Sequence, residues 1–324
     1  MASAPGKAIL TGEHAVVYDA AAIVVAIDLR AFTKINVRSD SHFQISLKKY
    51  NITEELSPLS PNFNQIQPTH KEITPIWQII SLLYSKYRLS GGLDIEIWCD
   101  IPSGVGLGSS AAVSVATTAA LNNLFDLNLG ASAISSIAFE GEKITHGTPS
   151  GIDNTISSYG GAILFKKGRT QRIEIPLEIP LLIVNSGISR ETKTQVNHVR
   201  SVYETYPTIF THVFNAIDGI SLKVEHVLRL KNLKILGELM NYNHEFLRIL
   251  GVSTKELDSL IEYIKLTGAI GAKLTGAGGG GCIIALFDSI ASKNNCISQL
   301  KSRKIEYFDT KISEFGFQIH ETTK

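Results

Sequence analysis

The chain has 324 residues, of which 44% are hydrophobic and 19% charged, a balance that suits a large buried core and excludes an intrinsically disordered chain. Lys and Arg number 31 against 30 Asp and Glu, so the net charge of +1 leaves no overall electrostatic footprint for nucleic acid or an anionic membrane surface. At about 100–200 residues per domain, the length allows two domains.

The first residues read as strands: Lys7–Leu10, the β-branched run Ala22–Ile27, the alternating Ala31–Arg38, and Phe43–Leu47. Residues 51–72 hold three prolines without a clear period and read as an irregular surface excursion. Thr74 suits an N-cap and Pro75 the first helical position, with Ile76, Ile79, Ile80, Leu83 and Tyr87 as the inner stripe. Leu93, Ile95, Ile97 and Cys99 alternate along a strand that runs into a glycine-rich segment ending at Ser110. The Ala-rich run Ala111–Leu124 reads as a buried helix. Residues 132–146 read as another, capped by Ser132 and stopped at Gly147.

Strands are expected at 162–166 and 171–175. Pro176 and Pro180 then mark a boundary between two domains, 1–178 and 179–324. The second half opens with a strand, Leu181–Val184. Helical periodicity follows over 192–266, with Gly219, Gly237 and Gly251 as candidate breaks. Apolar strands Ala269–Leu274 and Cys282–Phe287 flank a second glycine cluster, and a helix near 289–302 and a strand near 315–320 close the chain. Strands and helices alternate irregularly, which points to an α+β fold.

Cys99, Cys282 and Cys296 are odd in number and show neither CxxC nor Cys/His spacing, so reduced thiols are expected rather than a disulfide framework or a zinc site. The start lacks the basic segment and long apolar run of a signal peptide, and Ala20–Ile27 is too short to cross a membrane. The expected location is the cytoplasm.

Strand, glycine loop, helix is a phosphate-binding arrangement. Gly104, Gly106 and Gly108 permit positive φ and close approach, Val105 and Leu107 stand between them, and Ser109 and Ser110 sit where the helix begins. No GK[ST] follows, so it is not a Walker A loop, and Ser109 stands where a dinucleotide fingerprint needs its third glycine. The second cluster, Gly276-Ala277-Gly278-Gly279-Gly280-Gly281, lies between apolar strands, which favours a backbone that something must approach closely over a linker. Ile134, Ala138 and Glu142 share one helical stripe; Glu142 is either a core-rim carboxylate in need of a cation or a solvated last-turn residue. Asp153 falls in the first turn of a short helix, where the helix dipole alone can account for it. Lys7, Glu13 and His14 are unremarkable singly.

Read together, these segments resemble the GHMP kinase superfamily. Ala4-Pro5-Gly6-Lys7 with Gly12-Glu13-His14-Ala15-Val16-Val17-Tyr18, the loop over 101–113, and the segment over 271–284 follow that superfamily's order along nearly the whole chain. The GEHAVVY segment, His146-Gly147-Thr148-Pro149-Ser150-Gly151-Ile152-Asp153 and KLTGAGGGGC are most similar to its mevalonate kinase branch. The resemblance implies two domains, an amino-terminal half like ribosomal protein S5 domain 2 and a ferredoxin-like carboxy-terminal half, with the site in the cleft between them. It implies transfer of phosphate from ATP to the 5-hydroxyl of mevalonate, with Mg2+ as cofactor. Gly104 to Ser110 would cradle the phosphates, and Ser110 and Glu142 would hold Mg2+. Asp153 would act as base or orienter and Lys7 would stabilise charge. Glu13, His14 and Thr192 would line the acceptor site, and Gly276, Gly278 and Gly279 would support the nucleotide loop. Homodimers are common in the family.

Three positions depart from the branch's pattern: Val113 where animal-type members carry tyrosine, Asp19 where glycine is common, and Ala21 where proline is frequent. A kinase of the same superfamily acting on a phosphorylated or sugar substrate is the rival reading; Arg190, Lys193 and Arg200 are the cations that a phosphorylated substrate would call on. A non-catalytic ligand sensor of the same fold is the other.

Overall fold

The computed structural model describes residues 1–57, 66–102, 104–146, 149–175, 179–189 and 192–321, with His146 described by its backbone alone. Strand β1 (Ala2–Thr11) and strand β2 (Ala22–Val37) run antiparallel. Both are longer than the apolar pattern predicts. The exposed Asp28 ends the apolar run but not the strand, because a register shift between Pro5 and Gly6 takes up the change of face.

The other edge of β2 is shared. Its first residues pair with β6 (Ala162–Lys166), and its last with β5 (Leu93–Cys99). Strand β3 (Phe43–Leu47) lies parallel to β5, and β4 (Ile52–Leu56) forms the edge beyond it. Part of the expected irregular excursion is therefore a strand; the three polar residues within β4 hide its alternation. Strand β7 (Arg169–Ile173) is two residues earlier than expected, because Lys167 and Gly168, both at positive φ, make a two-residue hairpin turn from β6. The sheet is completed by β12 (Gln318–Ile319), which pairs with Ala2 and Ser3, so the end of the chain returns to its start.

Four helices belong to this half: α1 (Thr74–Tyr87), α2 (Ser109–Leu124), α3 (Ala131–His146) and α4 (Ile152–Tyr159). Ile73, not Thr74, is the N-cap of α1, and no side chain caps it. Gly108 is the N-cap of α2, so Ser109 and Ser110 are its first two helical residues, and Ser132 lies inside α3 rather than at its cap. The small side chains of α2 let it sit between β1, β2 and α3, with Ala112, Val115, Ala116 and Ala119 fully buried.

The second sheet holds β8 (Leu181–Asn185), β9 (Gly271–Thr275), β10 (Cys282–Leu286) and β11 (Tyr307–Thr310), in the antiparallel order β11-β8-β10-β9. Counted along the chain this is the fourth, first, third and second strand, the ferredoxin-like order. Strand β11 lies outside the elements expected from sequence. Helices α5 (Thr192–Thr205), α6 (Pro207–Arg229), α7 (Leu233–Ile249) and α8 (Lys255–Leu266) fill the first connection, and α9 (Ile290–Ser302) the last. Of the three glycines expected to break the helical stretch, only Gly251 lies in a break. Gly237 sits within α7 because a Cβ there would be 2.6 Å from the carbonyl oxygen of Ile270: the glycine lets α7 touch the start of β9.

Both faces of the second sheet are buried, as continuous apolar strands imply. Leu181, Ile183, Cys282 and Ile284 share a core with Ala8, Leu10, Ile23 and Val25 of the first sheet. Leu182, Val184, Ile283 and Ala285 face Phe210, Phe214, Leu257, Ile261 and Leu300. Of the expected domain boundary, Pro176 and residues 177–178 lie outside the described residues. The first sheet's β7 ends at Ile173 and the second opens at Leu181. Cys282 and Cys296 are buried and Cys99 is partly exposed. Among the described residues no helix is long and apolar enough to cross a membrane.

Candidate active site

Gly104, Gly106 and Gly108 have φ of 74°, 81° and 74°, so the loop into α2 follows a path that favours glycine. It is pressed against β1. The Leu107 carbonyl accepts the Lys7 N–H at 2.8 Å. A Cβ on Gly6 would stand 2.7 Å from the Leu107 oxygen, and one on Gly108 would stand 2.9 Å from Lys7 Cγ and 3.7 Å from Asp153 Oδ2. Glycine at 6 and 108 is thus what lets loop, lysine and aspartate meet. Leu107 anchors the loop in the core, and Val105 packs against the same cluster.

Lys7 Nζ lies 3.3 Å from Asp153 Oδ1; the lysine side chain is 8% exposed and the aspartate 35%. Asp153 stands in the first turn of α4, behind Gly151 at φ 80°. Gly147 and Thr148 of the preceding turn, and Ser103 of the glycine loop, lie outside the described residues. Ser110 Oγ donates to Glu142 Oε2 at 3.2 Å. Glu142 is 2% exposed, not the solvated last-turn residue that spacing alone allowed. Burial first, and then the charge of Asp153, pushes its pKa up to about 7, against the Ser110 hydrogen bond and the Lys7 charge. A buried carboxylate beside a hydroxyl, at the mouth of a phosphate-type loop, is a hard-oxygen donor set of the kind Mg2+ takes together with phosphate oxygens.

The Glu13–His14 loop follows β1. Gly12 turns it at φ 103°, where any Cβ would clash with Ala21 and Ala22. Glu13 is 1% exposed and pairs with the fully buried Lys273 of β9. His14 Nε2 is 2.8 Å from the Ala277 carbonyl oxygen. Asn243 of α7 accepts the Gly12 N–H at 3.1 Å and donates to Glu13 Oε2 at 3.4 Å. The sequence pattern misses these partners. Asn243 is one polar residue in a long helical stretch, although a lysine inside the apolar β9 is a legible signal that a buried counter-charge exists.

The second cluster is a tight turn between β9 and β10. Gly276, Gly278, Gly279, Gly280 and Gly281 all have positive φ. A Cβ on Gly278 would clash with the Val252 carbonyl, one on Gly279 with the Gln195 side chain, and one on Gly280 would stand 2.6 Å from the Ile188 oxygen. The cluster therefore threads between α5, the segment after α7 and the segment after β8. Thr275 Oγ1, just before it, accepts the Ile9 N–H at 2.9 Å and joins the turn to β1. Thr192 is exposed at the start of α5, one turn before Gln195. Lys193 and Arg200 are also exposed on α5, and Arg190 lies outside the described residues.

A cavity of about 370 Å³ opens beside the start of α2. Ser109, Ser110 and Val113 form one wall, Ile97, Trp98 and Cys99 of β5 another, and Ile76 and Ile144 close it. Its walls are mostly apolar, and Ser110 at its hydroxyl end is the residue that bonds to Glu142.

This arrangement matches known proteins. Residues 75–161 match the family model for the GHMP kinases N terminal domain, and residues 224–305 that for the GHMP kinases C terminal. The mevalonate kinase of Thermococcus sibiricus is 36% identical over 99% of this chain and 98% of its own. The chain belongs to the mevalonate kinase family of the GHMP kinases. The solved structure of the Methanococcus jannaschii mevalonate kinase is similar with a TM-score of 0.85 at 28% identity, covering 96% of this chain and 98% of that one. That of the L. major mevalonate kinase in complex with R-mevalonate gives 0.83 at 30% identity, covering 96% and 94%.

Against this family background two of the departures have local explanations. Asp19 takes a glycine-like φ of 66°, a conformation that aspartate tolerates. Ala21 keeps the N–H that proline would lack, and it donates to Asp218 Oδ1 at 2.7 Å. Val113 lines the cavity.

Proposed function

We propose that this enzyme transfers the γ-phosphate of ATP to the primary hydroxyl of mevalonate in the cytoplasm. The observation that carries the reading is the Lys7–Asp153 pair packed against Gly108, with the Ser110–Glu142 pair beside it. The nucleoside would lie in the apolar cavity and the phosphates along the amides of Gly104 to Ser110, at the positive end of α2. Ser110 and Glu142 would hold Mg2+, which supplies charge neutralisation to the phosphates when bound.

The acceptor hydroxyl would sit at Asp153, between it and the γ-phosphorus. Its oxygen forms the new bond to phosphorus while the bond to the leaving ADP oxygen breaks, and its proton passes to the Asp153 carboxylate. Lys7 stabilises charge on the attacking oxygen and the transferring group. A loose transition state asks little of base strength, so positioning and charge stabilisation dominate. Glu13, His14 and Thr192 would line the acceptor side, and Gly276, Gly278 and Gly279 would support the nucleotide loop.

The test is ATP-dependent phosphorylation by the purified protein of mevalonate, phosphomevalonate, galactose and homoserine. Turnover of mevalonate in preference to the others is expected. Turnover of another acceptor with none of mevalonate contradicts the substrate, and turnover of none favours a ligand sensor.

A further inference from the structure

Lys273 has no part in the chemistry above, yet it is the one charged side chain of β9 and has no solvent exposure. It donates to Glu13 and, at 2.6 Å, to the Leu274 carbonyl. Burial pushes Glu13 above and Lys273 below their ordinary values, and each opposes the other's shift. A pair taken so far out of water is often no more stabilising than apolar side chains of the same volume. Its presence calls for a reason other than stability.

That reason lies in what the pair holds. Gly12, Glu13 and His14 are consecutive, and each is tied to the second half of the chain. Gly12 bonds to Asn243, Glu13 to Asn243 and Lys273, and His14 to Ala277. His14 has φ 61°, a strained value for a residue with a side chain, so the loop's shape depends on what anchors it. Lys273 and Asn243 are both fully buried, so they have no surface to offer a substrate.

We infer that Lys273, together with Asn243, is a positioning residue of the acceptor site: it holds the Glu13–His14 loop in the shape that the acceptor alcohol meets. The inference rests on the reading of Glu13 and His14 as acceptor-lining residues. It assigns β9 and α7 an indirect part in acceptor binding, through side chains that never touch the acceptor.

The test compares steady-state kinetics and thermal midpoints of wild type, Lys273→Met and Asn243→Ala. The expected result is an acceptor KM raised about tenfold or more with an ATP KM within about twofold of wild type. A merely structural role would lower the midpoint and the active fraction and leave both KM values unchanged. Where Lys273→Met does not fold, Asn243→Ala, which keeps the ion pair, decides. A folded variant with a wild-type acceptor KM overturns the inference, as does an equal rise in both KM values. If wild type phosphorylates another alcohol, the same ratio is read with that alcohol, so failure of the substrate reading and failure of this inference are separate outcomes.

Discussion

In the proposed reaction Lys7 and Asp153 would carry the chemistry, Lys7 from a buried position and Asp153 from a partly exposed one. Asp153 stands in the first turn of α4, and Lys7 lies within β1 with its ammonium directed at that carboxylate. Asp153→Asn and Lys7→Met should therefore each lower kcat by about a hundredfold or more while leaving the thermal midpoint near wild type. Stopped-time assays with a melting curve check both, and near-wild-type turnover removes that residue from the mechanism. Glu142 is different, because its carboxylate is buried beside Ser110. Glu142→Ala should raise the Mg2+ concentration for half-maximal activity by about tenfold or more, read from a magnesium titration at saturating ATP. Chelation of Mg2+ should abolish turnover in the wild type. At this scale Lys7 and Asp153 are unremarkable singly and become legible only through the motifs around them, read together. The partners of Lys273, Asn243 and Asp218 are not legible, because they lie far away along the chain and only the fold brings them together.

Among the elements, the glycine turns do different work. Gly104 faces open space, so a side chain there meets only the backbone preference, whereas one on Gly278 would run into Val252. Gly278→Ala should cost at least about 2 kcal/mol in denaturant unfolding, and Gly104→Ala about 1 kcal/mol. Gly104→Ala should also raise the ATP KM, since its backbone belongs to the phosphate loop. Comparable stability losses at the two positions would contradict the distinction. The same contrast explains which element boundaries the sequence shows. The apolar strands β8 and β10 and the buried α2 announce themselves by composition. Strand β4, with three polar residues, and the single strand across Asp28 do not, because pairing partners rather than their own pattern define them. Gly237 reads as a break and is instead a contact point, since the strand that needs the space begins far along the chain, at Gly271.

For the whole molecule, the two sheets share a core, and the site straddles the seam between them. The first sheet and its helices supply Lys7, the glycine loop, Ser110, Glu142 and Asp153. The second fixes the Glu13–His14 loop through Asn243, Lys273 and Ala277. The near-neutral net charge fits the proposed design, in which the anion site would be made of backbone amides and a few placed side chains rather than a basic surface. The two-domain plan is legible from length. The return of β12 to pair with β1 is not, because two paired residues leave no periodicity to read. The central claim is that this seam moves phosphate from ATP to mevalonate. It is tested most directly by phosphorus NMR of the products formed with ATP, Mg2+ and mevalonate. The account predicts one ADP for each phosphorylated mevalonate, and no ADP when mevalonate is left out. ADP formed together with free inorganic phosphate, with no phosphorylated mevalonate, would contradict it.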